Sequence, residues 1–487
     1  MPHDSHLFLG IDVGTGGVRA LALSGTGEVV GRSSVPLDEA ILSPREGRHE
    51  QPPGAWWEAV GAATSRLVND LQHAGASPQQ LAAVAVDGTS GTLVALDRAG
   101  DPLRPAMMYN DPRAAAEAEQ LNRLAGPFCE KLGYRFKSSF ALAKIVWLRN
   151  HEPAVFAKTA RFVHQADYVA GRLTGTPGVS DYSNALKTGY DLVDECWPGW
   201  IDDLPGLRER LPRVVAPGSR LGLVSDRAAA ATGLPQGLPV VAGATDGTAA
   251  CLASGLRRPG DYNTTLGTTL VFKGLSHQIC RHPEGLIYCH KLPGGLWLPG
   301  AASNTGGEWI GTHFNGADLP AMDAAAGRRL PVECVAYPLV RTGERFPFLS
   351  ETAQGFFLPE PADPVDRYAA CLQGVAFLER RAYDCLERVA GTSGGAVFST
   401  GGGSRSDVWM QCRADVTGRP LHRPDCPESA FGTALLAAAG SLPGGLAETI
   451  ETMVRVEKTF TPDAGRAEHY HRLYRRFGDE LEKRGYR

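Results

Sequence analysis

Short apolar runs, each cut by glycine or proline, set the rhythm of the chain. Leu7–Asp12, Val18–Ser24 and Glu28–Val35 run apolar or alternate, and Gly14–Gly17 and Gly25–Gly27 supply turns between them, so three consecutive strands are predicted. Ala55–Leu71 and Ala114–Leu124 have helical composition, and between them Ala82–Val86 and Thr92–Asp97 read as strands. The alternation argues for an α/β domain. Phe140–Asn150 (FALAKIVWLRN) predicts an apolar helix and Asp167–Leu173 another, a helical cover that could hold a small-molecule pocket.

The segment GLPQGLPVVAG, Gly233–Gly243, places proline and glycine before a new buried strand, so a domain boundary is expected there, dividing the chain into 1–242 and 243–487. Asp261–Leu275 then reads as strand, LGTT turn and strand, and Leu286–Lys291 with Leu296–Leu298 adds sheet. Arg367–Val389 is a long helix with apolar residues at helical spacing. After it come a strand to Thr400, a glycine turn, a helix from Ser406 and an edge strand near Pro420. Glu428–Ala439 (ESAFGTALLAAA) is expected to close the second domain as a small-residue helix. At the end, Leu473, Phe477 and Leu481 recur every four residues, which predicts a helix docked by one face in spite of its arginines.

Composition narrows the partners. The chain has 487 residues, 43% of them hydrophobic, enough for two or three packed domains. A net charge of −4 gives no electrostatic footprint for nucleic acid or an anionic membrane, so small-molecule partners are expected. The opening MPHDSHLFLG has no basic stretch leading into a long apolar one, and no run of 18 apolar residues occurs, so a cytoplasmic protein is expected. Ten scattered cysteines form no CxxC pair and no zinc-like spacing with histidine, which predicts reduced structural thiols. The GxxxxGK[ST], HExxH, GxSxG and GxGxxG patterns are all absent.

The candidate chemistry lies in glycine and threonine turns. LFLGIDVGTGGVRA, Leu7–Ala20, and PVVAGATDGTAA, Pro239–Ala250, share one design: an apolar strand, an aspartate, then glycines and threonines. A carboxylate beside free backbone N–H groups suits a Mg²⁺-bound phosphate, and the repetition predicts a duplicated fold with a cleft between its halves. LGTT at Leu266–Thr269 and TGGGS at Thr400–Ser404 are two further turns of phosphate or nucleoside type.

Together these runs resemble the FGGY family of carbohydrate kinases, within the wider group of actin, the heat-shock ATPases and hexokinase. GIDVGTGGVRA is similar to the family's first phosphate motif. KIVWLRNH, Lys144–His151, is similar to its first signature, although Ala141 replaces the usual Pro, Ser or Thr upstream. YAACLQGVAF, Tyr368–Phe377, resembles the helix of the second signature, and STGGGSRSDVWMQ resembles the adenosine motif. The resemblance spans nearly the whole chain and implies a two-domain actin/hexokinase-like, ribonuclease H-like duplicated α/β fold.

It also implies an ATP- and Mg²⁺-dependent phosphoryl transfer to a sugar hydroxyl, with a carboxylate base about 2.6–3.2 Å from that hydroxyl. Asp246 is the expected base. Asp12 is expected to hold Mg²⁺ through water, and Gly16, Gly17, Val18 and Arg19 to line the transferred phosphate or the sugar. Thr15, Gly267, Thr268, Thr269 and Gly307 are expected at the ATP phosphates, and Gly401, Gly402, Gly403, Ser404 and Arg405 at the adenosine. Asp87, Ser90, Asn110 and Asp111 are candidate ligands for sugar hydroxyls, each of a type that also serves turns and caps.

Where xylulokinases usually carry Gln-Met-His-Gly, this chain has VDGTSGT, Val86–Thr92, and Gly247 stands where an asparagine commonly follows the base. VDGTSGT, MYNDPRA and ATDGTAA look more like the family's D-ribulose kinases, so the leading expectation is phosphorylation of D-ribulose at its terminal hydroxyl. D-xylulose or another sugar or polyol is the alternative. A non-catalytic sugar sensor on the same fold is a third reading, opposed by the intact Asp12, Asp246 and TGGGS runs. The expected partners are sugar and ATP alone, on a monomer or homodimer.

Overall fold

A computed structural model describes residues 6–38 and 47–486. Met1–Ser5, part of the stretch read for a leader, lies outside the described residues. The chain divides into two compact units: Met1–Ala253 with His290–Gly295 and Cys426–Val454, and Ser254–Cys289 with Leu296–Asp425 and Arg455–Arg487.

The first unit is built on a sheet of β1 (Leu7–Gly14), β2 (Gly17–Ser24), β3 (Val29–Pro36), β4 (Leu81–Gly88), β5 (Arg220–Leu223) and β6 (Pro239–Thr245), in the spatial order β5-β6-β4-β1-β2-β3. The hairpins β1/β2 and β2/β3 are antiparallel, β1 and β4 and then β4 and β6 run parallel, and β5 is antiparallel to β6. β1 is buried along nearly its whole length, which is why it reads as a continuous apolar run instead of an alternation. Helix Pro53–His73 buries Trp56, Val60, Leu67 and Leu71 in the same core.

The second unit repeats the plan. It uses β7 (Tyr262–Leu266), β8 (Leu270–Gly274), β9 (Tyr288–Lys291), β10 (Trp297–Ser303), β11 (Val397–Thr400), β12 (Leu421–Pro424) and β13 (Val456–Phe460) in the order β9-β10-β8-β7-β11-β12-β13. From β10 to β13 the directions match those of β3 to β5: two antiparallel hairpin pairings, two parallel neighbours, then an antiparallel edge. At its centre Arg413, fully buried, donates Nε and Nη2 to Glu379 at 2.6 Å each and Nη1 to Ser399 Oγ at 2.6 Å.

Four expectations differ from this. The duplicate of the Leu7–Ala20 run is the β7/β8 hairpin, whereas PVVAGATDGTAA forms β6 and helix Asp246–Ala253 of the first unit. The division therefore falls after Ala253, not at 242/243, because β6 is hydrogen-bonded into the first sheet beside β4. Helix Ser429–Ala439 likewise belongs to the first unit and does not close the second. It lies so close to β1 and to helix Asp246–Ala253 that a Cβ on Gly10 would stand 1.9 Å from the Ala430 carbonyl oxygen, and one on Gly432 1.8 Å from that of Ala249. The strand near Pro420 is also not an edge, since β13 flanks it. The last helix, Ala464–Lys483, buries Tyr470, Leu473, Phe477 and Leu481 as its spacing requires. Among the described residues no helix is long and apolar enough to cross a membrane.

Helix Ala141–His151 carries one residue its apolar pattern does not explain. Lys144 is completely buried and donates Nζ to the carbonyl oxygens of Gly91 at 2.7 Å and Ser139 at 3.3 Å. Lys187 Nζ holds the preceding carbonyl, Ser90 O, at 3.0 Å. Burial, reinforced by the Lys187 charge, lowers the Lys144 ammonium to about 7. An unfolded lysine titrates near ~10.4, so from pH 7 upward the unfolded chain binds the extra proton and stability rises with pH. Relative to Lys144→Met, wild-type protein is expected to gain up to about 1.4 kcal/mol per pH unit between pH 7 and 9 in urea unfolding; parallel stability curves would contradict the buried charge.

Candidate active site

Asp12, Asp87 and Asp246 stand at the carboxyl ends of β1, β4 and β6, three adjacent parallel strands. Open α/β sheets bind ligands at such ends. Asp12 and Asp87 are directly opposite in the β1/β4 register, and Asp246 follows Thr245, which pairs with Gly88.

Asp12 is 5% exposed and its Oδ2 accepts Arg19 Nη1 at 3.0 Å, across the β1/β2 hairpin from an otherwise exposed arginine. The two-residue turn Thr15-Gly16 is tied down by Gln51, whose Nε2 donates to Thr15 O at 3.0 Å, and by the Leu37 amide on Gly16 O at 3.1 Å. Gly16 is open on its Cβ side, whereas a Cβ on Gly17 would stand 2.6 Å from Val35 O. Val18 presents only its backbone here, since its side chain is in the core.

Asp87 is fully buried. Burial first, then the negative charges of Asp12 and Asp246, push its carboxyl well above the ordinary carboxylate range, against the pull of the Thr433 hydroxyl, which donates to Oδ2. The protonated form is favoured, and Oδ1 has no conventional hydrogen-bond partner. Asp246 is half-buried at the first turn of helix Asp246–Ala253, with the Gly247 amide donating to its Oδ1 at 2.6 Å. A buried relay holds the residue before it: Asp181 accepts the Ser183 hydroxyl, and Ser183 Oγ accepts the Thr245 amide at 2.9 Å.

The VDGTSGT turn is equally fixed. Gln165 Oε1 accepts the Thr89 amide at 2.9 Å and its hydroxyl at 2.6 Å, and Thr92 Oγ1 accepts the Tyr109 amide at 3.1 Å. Within this frame Ser90 Oγ is buried without a partner. Asp111 is otherwise engaged: its carboxylate accepts the His49 amide at 2.9 Å and two nitrogens of Arg113, and although burial works in the opposite direction these partners hold it below the ordinary range. Asn110 is exposed beside His49.

In the second unit a cavity of about 590 Å³ gathers six of the residues expected at the nucleotide: Gly267, Thr268, Gly307, Gly402, Gly403 and Arg405. Thr269, Gly401 and Ser404 do not line it and build its turns. The Gly267 amide donates to Thr269 O at 3.0 Å, and Gly401, at φ +87°, accepts the Ser404 amide and hydroxyl at 3.2 and 2.7 Å. Thr15 belongs to the first unit. The sequence reading missed the apolar wall of Ile310, Leu319, Pro320 and Trp409, and the Tyr368 hydroxyl on Asp323 at 2.9 Å. Apolar side chains there suit a flat heterocycle, and glycine amides suit phosphate oxygens.

Among the described residues no three His, Cys, Asp or Glu side chains converge to hold a metal ion by themselves. The hard carboxylate oxygens of Asp12 fit Mg²⁺ taken with its waters and substrate phosphates, the usual manner for that ion.

Comparison with known proteins agrees with this arrangement. Residues 7–253 match the model of the N-terminal domain of the FGGY family of carbohydrate kinases, and residues 262–441 that of the C-terminal domain. Xylulose kinase of Escherichia coli K12 is 28% identical over 95% of this chain and 96% of its own, and that of Streptomyces coelicolor 32% over 90% and 88%. The crystal structure of xylulose kinase from Rhodospirillum rubrum superposes with a TM-score of 0.86 at 29% identity, covering 98% of this chain and 99% of that one. With both domain models matched in order along a twice-built sheet, the chain belongs to the FGGY family of carbohydrate kinases.

Proposed function

We propose that the protein transfers the γ-phosphoryl group of ATP to the terminal hydroxyl of a ketopentose, with D-xylulose as the first substrate. The observation that carries the reading is the trio Asp12, Asp87 and Asp246 at neighbouring strand ends of one unit, beside the fixed Ser90 turn. Similarity to xylulose kinases over nearly the whole chain supports the choice of sugar.

In this reading Asp246 accepts the proton of the attacking hydroxyl, because it is the trio's half-buried member at a helix start, open to a substrate from one side. Asp87 keeps its proton and donates to a sugar oxygen or to Asp12. Asp12 and Arg19 orient the transferred phosphate, with Asp12 holding Mg²⁺ through water; the ion, when bound, neutralises charge on the phosphate oxygens. Ser90 Oγ takes one sugar hydroxyl. The cavity of the second unit holds ATP, its phosphates at Gly267, Thr268 and Gly307 and its adenosine against Gly402, Gly403, Arg405 and Trp409. A reducing cytoplasm fits ten free cysteines.

A second reading, D-ribulose, rests on a specific observation: Asp87 and Ser90 stand in VDGTSGT where xylulokinases usually carry Gln-Met-His-Gly. A coupled ADP-release assay with Mg-ATP and D-xylulose, D-ribulose, L-xylulose, L-ribulose, ribitol and glycerol decides. Highest kcat/KM on D-xylulose supports the proposal and highest on D-ribulose the second reading. ATP binding without turnover on any sugar would overturn both in favour of a sensor.

Asp246→Asn is expected to bind sugar and ATP as wild type does while kcat falls by about 10² or more; near wild-type turnover would remove Asp246 from the base role. Ser90→Ala is expected to raise KM for the preferred sugar and narrow its margin over the epimer about tenfold or more, read as a ratio of kcat/KM values. Gly402 has open space where its Cβ would stand, so Gly402→Val is expected to fold normally and fill the cavity, weakening ATP at least about tenfold in a calorimetric titration with little change in sugar affinity.

A further inference from the structure

Cys280 and Cys289 lie in the second unit, nine positions apart, 1% and 2% exposed, on either side of an outward turn over 281–285. The Cys280 amide donates to Cys289 Sγ at 3.2 Å, and the Cys289 thiol donates back to Cys280 O at 3.3 Å. One sulfur therefore sits over the backbone of the other residue, and the two thiols also hydrogen-bond to each other. Ser276 Oγ completes the surroundings of Cys280 Sγ at 3.5 Å. A disulfide requires two cysteines whose Cβ atoms approach to about 3.5–4.5 Å, and a Cys289 sulfur seated on both the amide and the carbonyl of Cys280 brings the two side chains to one place. A soft-metal site would need a third or fourth ligand, and among the described residues no group of three supplies one.

We propose that Cys280 and Cys289 form a reversible intramolecular disulfide, a modification site that takes a peroxide or a small disulfide as its oxidant. With hydrogen peroxide, the Cys280 thiolate attacks one peroxide oxygen, the O–O bond breaks, and Cys280 sulfenic acid and hydroxide form. Cys289 Sγ then attacks Cys280 Sγ, the S–O bond breaks, and water leaves with the Cys289 proton. Two thiols and one peroxide give one disulfide and two waters, with two electrons passing from sulfur to oxygen. Cys280 acts first because the hydrogen bond from Cys289, acting against burial, lowers its thiol to about 7, while burial raises that of Cys289. The disulfide fastens the 281–285 turn to the start of β9, where Tyr288 already lies against the Lys273 ammonium at 5.1 Å.

The test treats the full-length native protein with a few equivalents of hydrogen peroxide, blocks free thiols, and measures intact mass and peptide connectivity. The expected result is a loss of about 2 Da before blocking and two fewer alkyl groups after it, both reversed by dithiothreitol, with Cys280 and Cys289 linked in one peptide pair and the other eight cysteines alkylated. Cys289→Ser should abolish the mass loss and leave Cys280 trapped as sulfenic acid, reactive to dimedone, while Cys371→Ser should change nothing. Peptide mapping of wild-type protein needs no variant, so a misfolded Cys289→Ser would not protect the proposal. No mass loss, a bond mapped elsewhere, or an unchanged mass loss in Cys289→Ser overturns it.

Discussion

Asp12, Asp87 and Asp246 are like charges that the first sheet forces together, and much of that unit reads as the means of tolerating them. Three parallel strands put the acids at adjacent ends, where each would repel its neighbours in a medium poorer than water at screening charge. The unit relieves this in graded ways. Asp12 receives the Arg19 guanidinium, Asp87 receives the Thr433 hydroxyl and is biased to keep its proton, and Asp246 keeps access to solvent and a helix N-terminus. Thr433 arrives only because Ser429–Ala439 is made of small residues. Any side chain at Gly10 or Gly432 would push that helix off the strand and helix it touches. The chain's return to the first unit over Cys426–Val454 thus supplies Asp87 with its hydroxyl partner.

The second sheet shows what the same topology does without the acids. At the corresponding ends of β7 and β11 stand Thr265 and Thr400, whose hydroxyls meet at 2.9 Å, a neutral pair where the first unit places two carboxylates. With no charge to relieve, those ends open into glycine turns and an apolar wall. The duplication supplies two equivalent strand ends, and the difference between Asp and Thr at their tips fits the proposed division between proton transfer and nucleotide binding.

Local signals were legible and pairings were not. Strand-turn-strand units at Leu7–Ser24 and Tyr262–Gly274 follow directly from apolar runs broken by glycine, and six of the glycine, threonine and arginine positions singled out do line one cavity. PVVAGATDGTAA misled because it shares the strand-Asp-Gly pattern of Leu7–Ala20 while the sheet uses it as a third parallel strand of the same unit; periodicity carries no record of which strand it joins. β13 escaped because four of its five residues are exposed and it offers no alternation to detect. The wall of Ile310, Leu319 and Pro320 carries no motif, because a surface that meets a ring face needs only apolar area. Gly432 and the alanines around it were a visible sign of close approach, but the sequence names no partner.

Rigidity at the Ser90 turn bears on the choice of sugar. Gln165 holds Thr89, Lys144 and Lys187 hold two successive carbonyls, and Thr92 takes the Tyr109 amide, so the backbone cannot shift to make up for a poorly matched substrate. A small hydroxyl on such a frame has a short reach, and a sugar epimer that turns the wrong face to it leaves a buried oxygen unpaired. Mispairing of that kind costs about 1–3 kcal/mol, enough for a preference of roughly ten- to a hundredfold. In the proposed reading, Ser90, with Asp87 three positions before it, decides which sugar hydroxyl is satisfied and leaves the proton transfer proposed for Asp246 untouched. The overall likeness to xylulose kinases bears on the scaffold, and the VDGTSGT turn bears on the proposed contact to the sugar.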